Sequence, residues 1–575
     1  MKSLALALVL VIVAAPARAQ QVGTCQSGEA DADLDVNNVR ARLYNNGGFF
    51  WRGSGNVYTV PKEGEVSAIF AAGLWFGAEA TDGTLRFSGV RYGPWEFWPG
   101  PLDENGSPPD DCADYDRLYS VYDADIRAYE YDGTLTDDLR DWPHHLGAPV
   151  VDGDGIAGNY DLAAGDRPHV YGEQSVWWVM NDMGNQKGAR GLGLEVQVQA
   201  FSASCIPGFH PSIPDVRTIN KALAHATYYE ITTVYHGREV LGNMHFGWFM
   251  DADLGYAGDD FMGTDTTLGM GFVYNGDDVD ASPEGYGYGT SPPAVGALMA
   301  QGHLNAQPIT FDYGADYGNR RFPGPEPPTI RAPGHFLMMQ GRWADGMPHT
   351  LGGDGYGGDT PTPFMFPGDP VTQQFWSEEN PNGQRGTLQP GDVGYWPGSL
   401  GNVQSSRNEP GDRRVLMSSG PHTLMPGDTM RLVVALPWAQ GGDRLRSVTM
   451  LRETARHLRN VLTGVMRYDI RACPIPVSAQ PAHPAALNHY TLRQNYPEPF
   501  SQQTTIRYEV IDTVPVTLTV YDLLGRRVRT LVDGMQSAGV YDVVFEAGDL
   551  PTGLYFYRLE AAGYVSITRR MTLQR

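Results

Sequence analysis

The segment MDADLGYAGDDFMGTD, residues 250–265, carries Asp251, Asp253, Asp259, Asp260 and Asp265 in a Gly-containing run. NGDDVDASPE then adds Asp277, Asp278, Asp280 and Glu284, and no Lys or Arg occurs between Glu239 and Asn319 to neutralise them. Carboxylates this close repel one another unless a cation bridges them, and calcium favours flexible all-oxygen sites. One reading is therefore structural calcium held by Asp251, Asp253, Asp259, Asp260 and Asp265. The other is a hydrated acidic loop after a strand, because no standard ligand spacing is met.

A second acidic stretch, VDGDGIAGNYDLAAGD, covers residues 151–166. Asp152 and Asp154 begin like an EF-hand loop, but Ile156, Ala157 and Ala163 stand where that loop needs an oxygen ligand, its turn glycine and its bidentate Glu. A calcium loop of another kind would use Asp152, Asp154, Asn159, Asp161 and Asp166; otherwise these residues make Asx turns. Around Asp354 and Asp359, LGGDGYGGDTP reads as a Gly-rich loop.

No catalytic residue can be named. The chain lacks H-E-x-x-H, G-x-S-x-G and G-x-x-x-x-G-K-[ST], and its histidines, His144-His145 included, show no ligand spacing. A glycosidase-like carboxylate pair depends on separation in space, so abundance of acids gives it no specificity. Phe49-Phe50-Trp51, Trp95-Glu96-Phe97-Trp98 and Trp177-Trp178 could stack on sugars, but such groups more often pack a core.

The elements that must position these residues are mostly strands. VYTVP, ATYYEITTVYHG, NMHFGWFMD and MRLVVALPW are bounded by Gly, Pro, Asn or Asp, and the second and third suggest two long strands around a turn at His236-Gly237. One helix is expected from Asp443 to about Leu462, where Leu445, Val448, Leu451, Ala455, Leu458 and Leu462 recur at helical spacing and Gly464 could end it. The fold class is mainly β: a large sandwich-like region with one late helix, followed by a smaller immunoglobulin-like sandwich.

The boundaries follow from composition. Residues 1–19 have the basic start, apolar run and small-x-small end of a signal peptide, with cleavage between Ala19 and Gln20. Residues 20–473 form the large β-rich region, which could hold two subdomains. Residues 474–486 are a Pro- and Ala-rich linker, and 487–575 are the terminal β module. Cys25, Cys112, Cys205 and Cys473 could close disulfides after export, and Cys25 with Cys473 would tie the ends of the main region together. A formal net charge of -24 argues against nucleic acid as partner, and no apolar run is long enough to span a membrane as a helix.

In the terminal module, NYPEPFSQQTTIRYEV, VYDLLGRRVRTLVDG and AGVYDVVFEAGDLPTGLYFYRLEAAG occur in that order before a basic-apolar last strand. This series resembles the type A C-terminal sorting domain of cargo exported by the type IX secretion system of Bacteroidota and related bacteria. It departs from that pattern at Glu498, where Asn is usual, and at Ser501-Gln502. The resemblance implies recognition by the outer-membrane translocon, removal by a sortase, and a cargo that is secreted or fixed to surface lipopolysaccharide. YNNGGFFWRGSGNVYTVP, AGLWFGA and PTPFMFPGDPVT in the main region resemble segments of uncharacterised exported proteins bearing the same tail. The expectation is a non-catalytic interaction or structural protein with calcium as its cofactor; the alternative is a carbohydrate-active hydrolase or a protein with a glycan ligand.

Overall fold

The computed structural model describes residues 25–301, 332–380, 410–465 and 491–574, apart from short gaps within these stretches. The leader with Ala19 and Gln20, Trp95, Cys205, Asp354, Cys473 and the linker 474–486 lie outside the described residues. The chain divides into two compact units, Met1–Cys473 and Pro474–Arg575.

Two large antiparallel sheets and one two-stranded pair, Val150–Val151 with Arg167–Pro168, are described in the first unit. The eight-stranded sheet runs in the order Asp31–Leu34, Arg40–Tyr44, Gly48–Phe49, Ala71–Ala80, Leu241–Asp251, Arg414–Leu424, with Tyr58–Thr59 and Leu85–Gly89 paired beside that path. The nine-stranded sheet runs Asp260–Asp265, Met270–Asn275, Ala294–Gln301, Thr429–Ala439, Ala226–Tyr235, Leu194–Ser202, Gln174–Asn181, Trp98–Pro99, with Tyr119–Tyr122 against Gln174–Asn181. Rings from both sheets meet in the space between: Phe49 of one lies 5.3 Å from Tyr229 of the other, and Trp248 lies 5.1 Å from Tyr229.

The nine-stranded sheet is covered on both faces, which explains why its strands read as almost unbroken apolar runs. Side chains alternate across a strand. Leu432, Val434 and Leu436 enter the inter-sheet core, while Val433 and Ala435 join a second core beneath the late helix. The Trp177-Trp178 pair is split in the same way, Trp178 facing the inter-sheet core and Trp177 a smaller cluster with Trp142 and Ile126.

The helix spans Arg444–Val465 and buries Val448, Leu451, Ala455, Leu458 and Leu462. Asp443 starts it, its side chain accepting the Arg446 N–H at 2.7 Å. Gly464 lies inside the last turn instead of ending it. Among the described residues, the shorter helices Asp123–Asp132, Asp137–Arg140 and Ala332–Met339 lack the long apolar stripe that marked the late one. Ala332–Met339 packs on the eight-stranded sheet at Gly77, where an added Cβ would stand 2.3 Å from the Phe336 ring.

The two long strands around His236-Gly237 are Ala226–Tyr235 and Leu241–Asp251, and the chain crosses from one sheet to the other between them. One expectation is corrected. Cys25 bonds Cys112, not Cys473. The Asp116 carboxylate receives the N–H groups of Glu29 and Ala30 at 2.9 Å, which docks the segment carrying Cys25 onto the loop carrying Cys112.

The second unit is a sandwich of seven strands. Thr491–Leu492, Gln503–Val510 and Gly539–Glu546 form one sheet; Arg527–Gln536, Val514–Tyr521, Gly553–Ala561 and Val565–Leu573 form the other. Its core joins Ile506, Tyr508 and Phe545 to Leu518, Val520, Tyr557 and Leu559. Residues 491–575 hold nine Arg and nine Asp or Glu, so the excess of negative charge lies in the first unit.

Candidate metal centre

Asp251 ends the strand Leu241–Asp251 and is only 1% exposed. Antiparallel register sets it opposite Arg414, the first residue of the edge strand Arg414–Leu424. Asp412 comes along on the same strand entry. Asp253 turns back toward Asp251 with φ 41°, a left-handed conformation that Asp tolerates better than most residues. One carboxylate oxygen each from Asp251, Asp253 and Asp412 lie within 4.8 Å of one another.

Arg414 is the cation within this group. Its Nη2 stands 2.8 Å from Asp412 Oδ2 and its Nε 3.3 Å from Asp251 Oδ1. Nε also donates to the Tyr92 hydroxyl at 2.8 Å, and that hydroxyl donates to Asp251 Oδ2. The Oδ1 atoms of Asp251, Asp253 and Asp412 are buried with no hydrogen-bond donor among the described residues. Burial pushes the Asp253 carboxyl upward, and the charges of Asp251 and Asp412 push it further. Burial also raises Asp251, with Arg414 acting against it. Such a group can be relieved by protons or by a metal ion, and all-oxygen donors suit a hard divalent cation.

The rest of the acidic run divides. Asp265 Oδ2 pairs with Arg452 at 3.3 Å and its Oδ1 accepts the N–H groups of Thr267 and Leu268, so both oxygens are already engaged. Asp280 accepts the N–H groups of Tyr256 and Tyr288 at 2.8 and 2.7 Å, and Gly255 leaves room for it, since a Cβ there would fall 1.9 Å from its Oδ2. Asp278 lies 3.7 Å from Arg444. Asp259 and Asp260 sit at the start of the strand Asp260–Asp265; burial and then neighbouring carboxylates push Asp259 up to about 7. The run has no local cation, but Arg414, Arg444 and Arg452 reach it from far along the chain.

Asp152, Asp154 and Asp166 form a second trio whose oxygens also fall within 4.8 Å of one another. Its bonding is of another kind. Asp152 Oδ1 accepts the N–H groups of Asp154 and Gly155, and Asp154 accepts from Ile156 N–H and the Asn159 amide. Asp166 receives Gly153 N–H at 2.9 Å and Asp161 N–H at 2.7 Å, and these donors hold its carboxyl below the ordinary range. Asp161 caps the short turn Leu162–Ala164. Asn159 and Asp161 thus support the loop through hydrogen bonds.

Asp412, Arg414 and Tyr92 were not marked by the sequence. Asp412 precedes an apolar strand in an ordinary way, and nothing local in it points to residue 251. Of the aromatic groups, Phe49, Phe50, Phe97, Trp177 and Trp178 are core residues, whereas Trp51 and Trp98 are half-buried.

In the terminal unit, the stretch NYPEPF is strapped to the sandwich. Asn495 N–H donates to the Tyr557 hydroxyl at 2.8 Å, and Phe500 is buried. Glu498, the departure from the family pattern, accepts from the Asn495 amide at 2.9 Å and from Thr572 N–H at 3.0 Å, so it fastens this segment to the last strand.

Residues 494–574 match the family described as Secretion system C-terminal sorting domain. The protein is therefore cargo of the type IX secretion system, exported to the cell surface or the medium, and its tail meets that machinery. No curated protein matches the chain. Among solved structures, a polysaccharide lyase aligns at 8% identity and TM-score 0.18, over 74% of this chain and 38% of its own. Dimeric latent PorU from Porphyromonas gingivalis aligns at 10% identity and TM-score 0.14, over 77% of this chain and 35% of its own. The chain spans well under half of either structure, and superpositions this poor carry no argument about activity. Among the described residues no helix is long and apolar enough to cross a membrane.

Proposed function

We propose that the main unit is a non-catalytic β-scaffold working in surface interaction or envelope structure, clamped by calcium at Asp251, Asp253 and Asp412. The observation that supports this reading is the convergence of three carboxylates beside Arg414, each with a buried oxygen that accepts no hydrogen bond among the described residues, with Arg91 the further cation bearing on Asp251. A divalent cation would neutralise the remaining charge and join the sheet centre to its edge strand. Asp152, Asp154 and Asp166 are a weaker candidate because backbone donors already serve them. Asp251 at 1% exposure offers a substrate little to reach, which favours a structural over a hydrolytic role. The leader is cleaved before Gln20, and after sortase processing the scaffold is released or fixed to lipopolysaccharide; a glycan is the ligand class to screen first.

The test is thermal unfolding of the purified chain with calcium and with chelator. A ligand that binds only the folded form raises stability, by about 2.7 kcal/mol when present at 100 times its Kd. Melting temperature should rise with calcium in the wild type and not in Asp253→Asn. Equal melting temperatures for the wild type under both conditions would refute the clamp.

A further inference from the structure

We propose that Asp259, Asp260 and Asn275 form a second cation site, separate from the Asp251 group and suited to a hard divalent ion such as calcium. Asp260 opens one strand and Asn275 closes the next, and antiparallel register sets them directly opposite each other. Their side chains therefore share one face of the sheet. Both residues are fully buried.

Each spends one polar atom and leaves another over. Asp260 Oδ2 accepts Leu254 N–H at 3.1 Å, and the Asn275 amide nitrogen donates to Asp277 O at 3.0 Å. Among the described residues Oδ1 of Asp260, Oδ1 of Asn275 and Oδ1 of Asp259 are buried without a donor, although the Asp259 carboxylate is hydrogen-bonded to the Asn275 side chain.

The amide is the informative member. Crowded carboxylates can leave one another unpaired by repulsion alone, but a neutral amide oxygen has no such reason. Leaving it unpaired at zero exposure is unfavourable unless a ligand meets it. The charges bearing on Asp260 come from Asp259, Asp280 and Asp253, all negative. Three oxygen donors with no nitrogen or sulfur among them select a hard cation. The rival occupant is a proton on Asp260 donated to Asn275 Oδ1.

Calcium titration calorimetry on the chelator-stripped full chain distinguishes the sites. Asp260→Asn should lose one bound equivalent relative to wild type, and Asp412→Asn should lose a different one, so that the double variant loses two. If Asp260→Asn keeps the wild-type stoichiometry, the second site is overturned, whatever Asp412→Asn does to the first. Asn275→Asp guards against a variant that fails to fold. At a cation site the added carboxylate should tighten calcium binding at least several-fold and enlarge the calcium-dependent rise in melting temperature. Unchanged binding, or a loss of stability that calcium does not reverse, would overturn the site and favour the shared proton.

Discussion

Two trios of aspartate, Asp251-Asp253-Asp412 and Asp152-Asp154-Asp166, gather their oxygens within the same 4.8 Å, yet they differ in what surrounds them. The second is local: its members lie within a short loop, between the two-stranded pair Val150–Val151 and Arg167–Pro168, and backbone N–H groups of that loop satisfy them. The first is assembled where two strands distant in sequence meet: Asp251 ends one strand and is buried, while Asp253 and Asp412 lie just outside the strands and are half-buried. It has Arg414 and Tyr92 for partners, and too few donors for its oxygens. Proximity of carboxylates is thus a poor guide to a metal site unless the donors are counted as well.

The largest effect should come from Arg414→Met. Removing the cation from a buried ion pair leaves uncompensated carboxylates and costs about 3–5 kcal/mol. Chemical denaturation in chelator should show this loss, with calcium restoring part of it; a loss under 1 kcal/mol would mean that the group is solvated like the other trio. Next in size is calcium removal from the wild type, expected to lower the melting temperature by several degrees through the term already given.

The pH dependence should separate the trios by sign. Asp251 and Asp253 have raised folded pKa values, so above about pH 4 the folded state binds more protons than the unfolded one. In chelator their contribution to stability is therefore fully present below that value and is lost as pH rises through their folded pKa values. Asp166 has a lowered folded pKa, so its contribution is present above the unfolded value and lost on acidification. Melting curves from about pH 2 to pH 8 for Asp253→Asn and Asp166→Asn, each against wild type, resolve the two slopes, that of Asp166 lying below about pH 4; slopes of the same sign would dissolve the distinction. Asp166→Asn should itself lower stability, since one amide oxygen cannot replace a carboxylate that accepts two backbone N–H groups. Smallest of all, Asp154→Asn should change stability by less than about 0.5 kcal/mol and leave the calcium-dependent shift intact. Loss of that shift would place the ion in the loop instead.

Much of the architecture was legible. Apolar and aromatic runs bounded by Gly, Pro, Asn or Asp marked the strands of the larger unit, and Leu451, Ala455, Leu458 and Leu462 marked the late helix because a single apolar stripe repeats at its pitch. Ala332–Met339 was not legible, since eight residues are too few for a stripe to stand out. Strand partners were hidden too. The two strands around His236-Gly237 belong to different sheets, and because both are largely buried, alternation gives no preferred neighbour.

The sequence by itself determined that the chain ends in a sorting module, that the larger unit is a β structure with all the excess negative charge, and that Asp251 and Asp253 belong to a crowded acidic segment. It could not determine how that charge is met. Arg452 neutralises Asp265 from a helix 187 residues further along, while Arg414 and Asp412 reach Asp251 only through sheet register. Composition and periodicity are local properties of a chain. Which carboxylate keeps an unpaired oxygen depends on donors brought from elsewhere, and only the packing of the two sheets decides that.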